Sequence, residues 1–372
     1  MTGIGYAYAE DTNHQGGNFK KESVVNRLFF LCFLGDRTMN TTKIVSVGSS
    51  YGEFEVSTRD ILEEAGFDKM GFPIDKVESE MGISHVRHSA DTVLPGDLAI
   101  AASVKALDAF SGDMSEIDGV LFCGIERDYT EPATAHRIAR CIGIEASLCM
   151  DISDACHGFT AGMIFANALL QTGSHKNILV CTGERSSNKT KEISAKFRSG
   201  ELDAARVGDT LGAFTVGDGG GAMILSAEYD GVSIQKIQTV SKSKYEKLCF
   251  YSPWGPRPTF AMQMGKICAA TISLVREMIP STLGQLEWSR DDIDLMMCHQ
   301  VGKRPFDKYL DMFQMPADKS IATYPKLGNM ASATIPICYD LLNQQGRLKK
   351  NEKIFVVSSG SGIVVTQMGL IA

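Results

Sequence analysis

The chain has 372 residues, 44% hydrophobic and 22% charged, enough apolar material for one large core or two ordinary ones. A net charge of −7 and a pI near 5.6, with no basic run interleaved with aromatics, exclude a general affinity for nucleic acid or an anionic membrane. A small-molecule or protein-borne substrate remains, and ten scattered cysteines without Cys-x-x-Cys or zinc spacing read as a reduced, cytoplasmic protein that holds no metal.

Residues 1–38 read as an N-terminal extension. They are polar up to residue 27 and then carry the apolar run Leu28–Leu34, which is too short to span a bilayer and lacks a small-x-small cleavage pattern. From residue 39 the pattern predicts a strand at Lys43–Val47, helices at Thr58–Ala65 and Leu94–Phe110, and a strand at Val120–Cys123. A helix at Pro132–Cys141 and a strand at Ser147–Ile152 follow. The next helix, Gly158–Leu170, places Phe159, Met163, Ala166 and Leu170 on one core face, and Asn177–Cys181 is a strand. Residues 184–210 read as a long polar loop, and Leu211–Val216 and Ala222–Ser226 as strands joined by a glycine turn at Gly217–Gly221.

The second half repeats this order. Strands are expected at Val232–Val240, Leu295–Cys298, Lys353–Val357 and Ile363–Met368, and helices at Thr259–Leu286, Arg304–Met312 and Ala331–Leu342. The alternation predicts an α/β fold with largely parallel sheets. Ile117-Asp118 recurs as Ile293-Asp294, and Ile178–Cys181 aligns with Ile354–Val357, both at an offset of 176 residues. The chain therefore divides into an N-terminal half, 39–228, and a C-terminal half, 229–372, with Ala155-Cys156 opposite Ala331-Ser332 and a cleft between the halves.

Chemistry concentrates in three places. Cys156, in Asp151-Ile-Ser-Asp-Ala-Cys-His-Gly158, stands where a strand gives way to a helix, whose free amides and dipole would favour a nucleophilic thiolate. His299 ends a buried strand and Asn329 precedes a helix; both can donate hydrogen bonds to a thioester oxygen becoming an enolate. Singly, each has an ordinary structural explanation, as a buried thiol, a core histidine and a cap residue. The glycines at 217–221 fail as a nucleotide loop because a strand rather than a helix follows them.

Taken together, Asp-Ala-Cys-His-Gly-Phe, Cys-His-Gln, Gly-Asn-Met-Ala-Ser-Ala and Val-Gly-Asp-Gly-Gly-Gly-Ala resemble the ketoacyl-ACP synthase III branch of the thiolase superfamily, from about residue 42 to the C-terminus. The resemblance implies a five-layered α-β-α-β-α thiolase fold built from two duplicated halves, a homodimer, and Claisen condensation of thioesters. By motif, Cys156 is the nucleophile, His299 and Asn329 hold the enolate, and the backbone N–H groups of Cys156 and Ser361 form the oxyanion hole. Acyl-CoA and/or acyl carrier protein thioesters are the implied substrates, with no further cofactor. The element Met81–Arg87 resembles a family motif, but the upstream Trp and Arg that grip CoA are replaced by Lys76 and Glu80, so a carrier protein, or CoA held differently, would deliver the acyl group.

Glu131 stands where head-to-head acyl-CoA condensing relatives carry a glutamate that reaches the partner subunit's site as a base; alternatively it is a first-turn residue favoured by the helix dipole. The resemblance thus implies condensation of an acyl-cysteine with a malonyl- or 3-ketoacyl-type thioester in specialised lipid or polyketide metabolism. Non-decarboxylative condensation with Glu131 as base, ester or amide formation, and a non-catalytic ketosynthase-like subunit are the alternatives.

Overall fold

The computed structural model describes residues 41–252 and 259–372, so the 1–38 extension with its Leu28–Leu34 run lies outside the described residues. In chain order the N-terminal half comprises β1 (Lys43–Tyr51), β2 (Phe54–Ser57), α1 (Thr58–Glu64), α2 (Ile74–Met81), β3 (His85–His88), α3 (Pro95–Asp108), β4 (Gly119–Phe122), α4 (Thr134–Ile142), β5 (Leu148–Asp151), α5 (Gly158–Gln171), β6 (Asn177–Arg185), α6 (Ser187–Arg198) and β7 (Asp218–Ser226). The C-terminal half comprises β8 (Val232–Ser241), β9 (Cys249–Ser252), β10 (Thr259–Met262), α7 (Met264–Leu286), β11 (Leu295–Cys298), α8 (Lys303–Phe313), α9 (Thr334–Gln344), β12 (Lys353–Gly360) and β13 (Val364–Ile371).

Nine strands form one sheet in the order β11-β12-β13-β8-β1-β7-β6-β4-β5, the two halves meeting where β1 pairs with β8. Only β4–β5, β4–β6 and β11–β12 are parallel, so the sheet is mixed rather than largely parallel. The reason is connectivity: a helix crosses over between β4 and β5, between β5 and β6, and between β11 and β12. Strands joined without such a crossover, as at β12–β13, pair antiparallel.

Five layers follow from what each face buries. On one outside, Ala99, Ala102 and Ala106 of α3 and Ile138 of α4 pack on Val120, Phe122 and Leu179. In the middle, Phe159, Met163, Ala166 and Leu170 of α5, the face read from the sequence, share one core with Ile335, Cys338 and Leu342 of α9 and with strands of both halves. On the other outside, Leu274, Val275 and Met278 of α7 and Phe306 and Phe313 of α8 cover Met296, Phe355 and Val357. Burial on both faces explains why β4 and the middle stretches of β6 and β7 are apolar or small, the charged residues of β6 and β7 lying at their ends.

The duplication is exact in register at four places. β4 and β11, the turns beginning at Ala155 and Ala331, α5 and α9, and β6 and β12 all start 176 residues apart. Both turns bend through an alanine with positive φ, 48° at Ala155 and 46° at Ala331. A non-glycine residue held there costs about 1 kcal/mol, so the surrounding packing imposes both bends.

Four expectations about single elements are corrected. Gly219–Gly221 lie inside β7 instead of forming a turn: a Cβ at Gly220 would meet Leu98 O at 2.3 Å and one at Gly221 would meet Pro336 Cγ at 2.3 Å, so the glycines let α3 and α9 close on opposite faces of the strand. Leu211–Phe214 is a 3₁₀ turn, and the supposed 184–210 loop contains the end of β6 and helix α6. The long helix begins at Met264, because Thr259–Met262 pairs with Cys249–Ser252 as a hairpin.

Candidate active site

One cavity, of about 60 Å³, is lined by Cys156, His299, Asn329 and the Ser359-Gly360-Ser361 segment at the end of β12. The fold brings these together because the strand ends of both halves open onto the same edge. Gly360 makes the approach possible: a Cβ there would lie 2.8 Å from the backbone nitrogen of His157.

Cys156 does not open α5 itself but sits in the single turn Ala155–His157 before it. His157 locks this turn, its Nδ1 2.7 Å from Asp154 Oδ2 and its Nε2 2.7 Å from Thr366 Oγ1. The thiol touches the cavity but is otherwise enclosed, and burial, with Cys249 and Glu184 nearby, pushes it far above the usual thiol range. This overturns the expectation of a thiolate primed by helix amides. Desolvation outweighs the backbone's pull, so the resting group is a neutral thiol.

His299 continues β11, its amide donating to Val357 O at 2.9 Å. Burial, and secondarily the His157 ring, lowers it to about 4, so it is a neutral imidazole at physiological pH. Its Nδ1 lies 3.3 Å from Thr334 Oγ1, whose hydroxyl also lies 2.9 Å from Ala331 O. When that hydrogen turns to Nδ1, Nε2 carries the ring proton and can donate. Asn329 is held at its backbone by Thr215 O and Gly217 N, and its Oδ1 accepts from Ala331 N at 2.9 Å. That bond fixes the amide and leaves the Nδ2 hydrogens as its free donors.

Glu131 is exposed on the loop before α4 and does not line the cavity of its own chain. Lys76 and Glu80 lie on α2, and Glu80 faces a second, larger cavity of about 300 Å³. This outer cavity shares Met264, Cys268, Ile272, Val301 and Pro305 with the inner one and is rimmed by Lys303, Arg304 and Lys308, with Arg304 3.4 Å from Glu80. It forms a cationic vestibule to the inner cavity.

Two groups escaped sequence reasoning. Tyr309 of α8 lines the inner cavity, although only the apolar face of its helix was legible. Glu184, near the end of β6, is buried behind Cys156; its carboxylate accepts from the Ser332 hydroxyl and from Ile125 N at 3.2 Å. A buried glutamate gives no periodic signal, since it occupies a position otherwise filled by apolar residues.

Burial pushes the Glu184 carboxyl up to about 8. A raised acid holds its proton better in the folded state, so its contribution to stability is complete below the ordinary glutamate range, near 4, and is lost as pH rises toward 8. Glu184→Gln stays neutral throughout. Relative to wild type it should gain stability across that window, by on the order of 4 kcal/mol at the top. Urea midpoints of both proteins between pH 5 and 9 check this; parallel curves would contradict it.

Residues 150–243 match the family model described as 3-oxoacyl-[acyl-carrier-protein] synthase III, and residues 283–370 match the model of its C-terminal part. Beta-ketoacyl-[acyl-carrier-protein] synthase III 1 of Halalkalibacterium halodurans is 27% identical over 339 residues, 89% of this chain and 99% of the relative. The acyl-CoA:acyl-CoA alkyltransferase of Shewanella oneidensis is 25% identical over 82% of this chain and 90% of its own. Cerulenin-bound OleA of Xanthomonas campestris shares the fold, with a TM-score of 0.84 at 22% identity over 90% of this chain and 98% of that one. Five layers from a duplicated half, motif segments meeting in one cavity and two matched family models lead to one assignment: the chain is an acyltransferase similar to the 3-oxoacyl-ACP synthase III enzymes.

Proposed function

We propose that the protein makes a carbon–carbon bond by Claisen condensation between an acyl group on Cys156 and a malonyl- or 3-ketoacyl-type thioester, in specialised lipid or polyketide metabolism. The observation that carries this is the meeting of a thiol, a neutral imidazole and an oriented carboxamide in one enclosed cavity. In loading, the Cys156 sulfur bonds to the thioester carbonyl carbon, the carbon–sulfur bond of the donor breaks, and the thiol proton leaves with the donor sulfur. Amides at Cys156 and Ser361 would hold the oxyanion. In condensation, loss of CO2 from a malonyl-type donor leaves its electron pair as an enolate, which accepts hydrogen bonds from His299 and Asn329 and displaces Cys156 from the acyl carbon.

The vestibule suits a thioester brought by acyl-CoA or an acyl carrier protein: its apolar wall matches a pantetheine arm and its cationic rim a phosphate or an acidic protein. The site would need no cofactor beyond these thioesters. Among the described residues no helix is long and apolar enough to cross a membrane, in keeping with a cytoplasmic enzyme.

A second reading, head-to-head condensation of two acyl thioesters, is favoured by the alkyltransferase relatives and by β5. This edge strand exposes Leu148, Cys149 and Met150 in part and has no outer neighbour among the described residues, as a homodimer continuing the sheet would require. In such a dimer Glu131 would serve the partner's site as base. Incubation with malonyl and simple acyl thioesters, with products and CO2 measured, separates the two. Release of CO2 in step with product, unaffected by Glu131→Ala, supports decarboxylative condensation; product without CO2, lost on Glu131→Ala, supports the second reading.

A further inference from the structure

We infer that the inner cavity selects a short acyl chain that itself carries a hydroxyl or keto oxygen, a deepening that rests on Cys156 being the acyl acceptor. The cavity runs from Cys156 into the wedge between α7 and α8. At about 60 Å³ it has room for roughly four water-sized groups, the dimensions of a four-carbon acyl group and not of a long alkyl tail.

Its lining is apolar at Met264, Ile267 and Ile272 but not throughout. Thr271, Tyr309 and Ser359 all line it, from α7, α8 and β12, and are 6%, 3% and 6% exposed. The Tyr309 phenol faces Ser359. The Thr271 hydroxyl has no hydrogen bond to another described residue, whereas Thr282 on the same helix turns its hydroxyl back to Met278 O. Three hydroxyl-bearing side chains from separate elements lining one cavity mark a place for a ligand oxygen. Tyr309 and Ser359 pair with each other, so an unsubstituted alkyl group would leave the Thr271 hydroxyl desolvated and unpaired, and a site built to bond an oxygen discriminates strongly against the analogue that lacks it.

The test is a competition among butyryl, acetoacetyl and 3-hydroxybutyryl thioesters of pantetheine, the arm common to CoA and carrier protein, with acyl-Cys156 quantified by mass spectrometry after brief reaction. In each case the acyl–pantetheine bond breaks, the acyl–Cys156 bond forms, and pantetheine leaves as the thiol. The oxygenated groups should load at least about tenfold faster than butyryl. Tyr309→Phe and Thr271→Val, which keep the volume and remove one hydroxyl each, should bring that ratio to within about twofold. Butyryl loading as fast as the others, or a preference unchanged in both variants, would overturn the inference while leaving the acyl-cysteine reading intact. Failure of all three to load would overturn both.

Discussion

Cys156→Ala is expected to abolish acyl-enzyme formation, with turnover down on the order of 10⁵-fold or more, because the nucleophile has no substitute that can reach the same carbonyl. Cys249 and Cys268 also line the cavity, but neither stands in the turn that packs its backbone against Gly360, as the Cys156 turn does at His157. The measurement is intact mass after exposure to an acyl thioester: one adduct on wild type, mapped to Cys156, and none on the variant. Adducts that persist elsewhere would displace Cys156 from its role. The neutral resting thiol adds a signature that a primed thiolate would lack. Alkylation of Cys156 by iodoacetamide should be slow at pH 7 and climb about tenfold per pH unit through pH 9, since the thiolate fraction grows at that rate far below the pKa.

His299→Ala and Asn329→Ala should divide the reaction differently, leaving loading of Cys156 intact and slowing condensation about 10²–10³-fold each. That magnitude follows from the protonation state. An imidazole lowered to about 4 stabilises an enolate as a single N–H donor and not as a cation, so its removal should cost what one oxyanion-hole donor costs. Asn329 offers the same kind of donor, oriented by the bond from Ala331 N. Single-turnover mass spectrometry follows loading and product quantification follows condensation. Unaffected condensation in either variant would remove that residue from the enolate site, and lost loading in both would point to a collapsed cavity.

Much of this architecture was legible because helices and strands with one partner face carry a period. The α5 face and the 176-residue repeat could be read from letters alone, and the repeat placed Cys156 opposite Ser332 as the structure does. What failed to show was whatever lacks a period. The glycines of β7 look like a turn because the need for them comes from α3 and α9, which pack there from distant sequence. Helix α2, with only Ile74 and Met81 buried, has too thin an apolar stripe to stand out. At the site, residue types and motifs pointed to Cys156, His299 and Asn329, but the ionisation of the thiol depends on how completely tertiary packing removes water, which no local pattern encodes.

The paired alanine bends carry a further consequence. Two copies of one strained hinge survive in a single chain, yet one presents sulfur to the cavity while the other anchors a serine hydroxyl to Glu184. In the proposed reaction the fold divides labour between twins: the Cys156 bend would exchange acyl groups while its sibling holds Glu184 as a brace. Remodelling the reactive side for new substrates therefore leaves its scaffold standing, whereas loosening the bracing side would be felt in the chemistry of a residue 176 positions away.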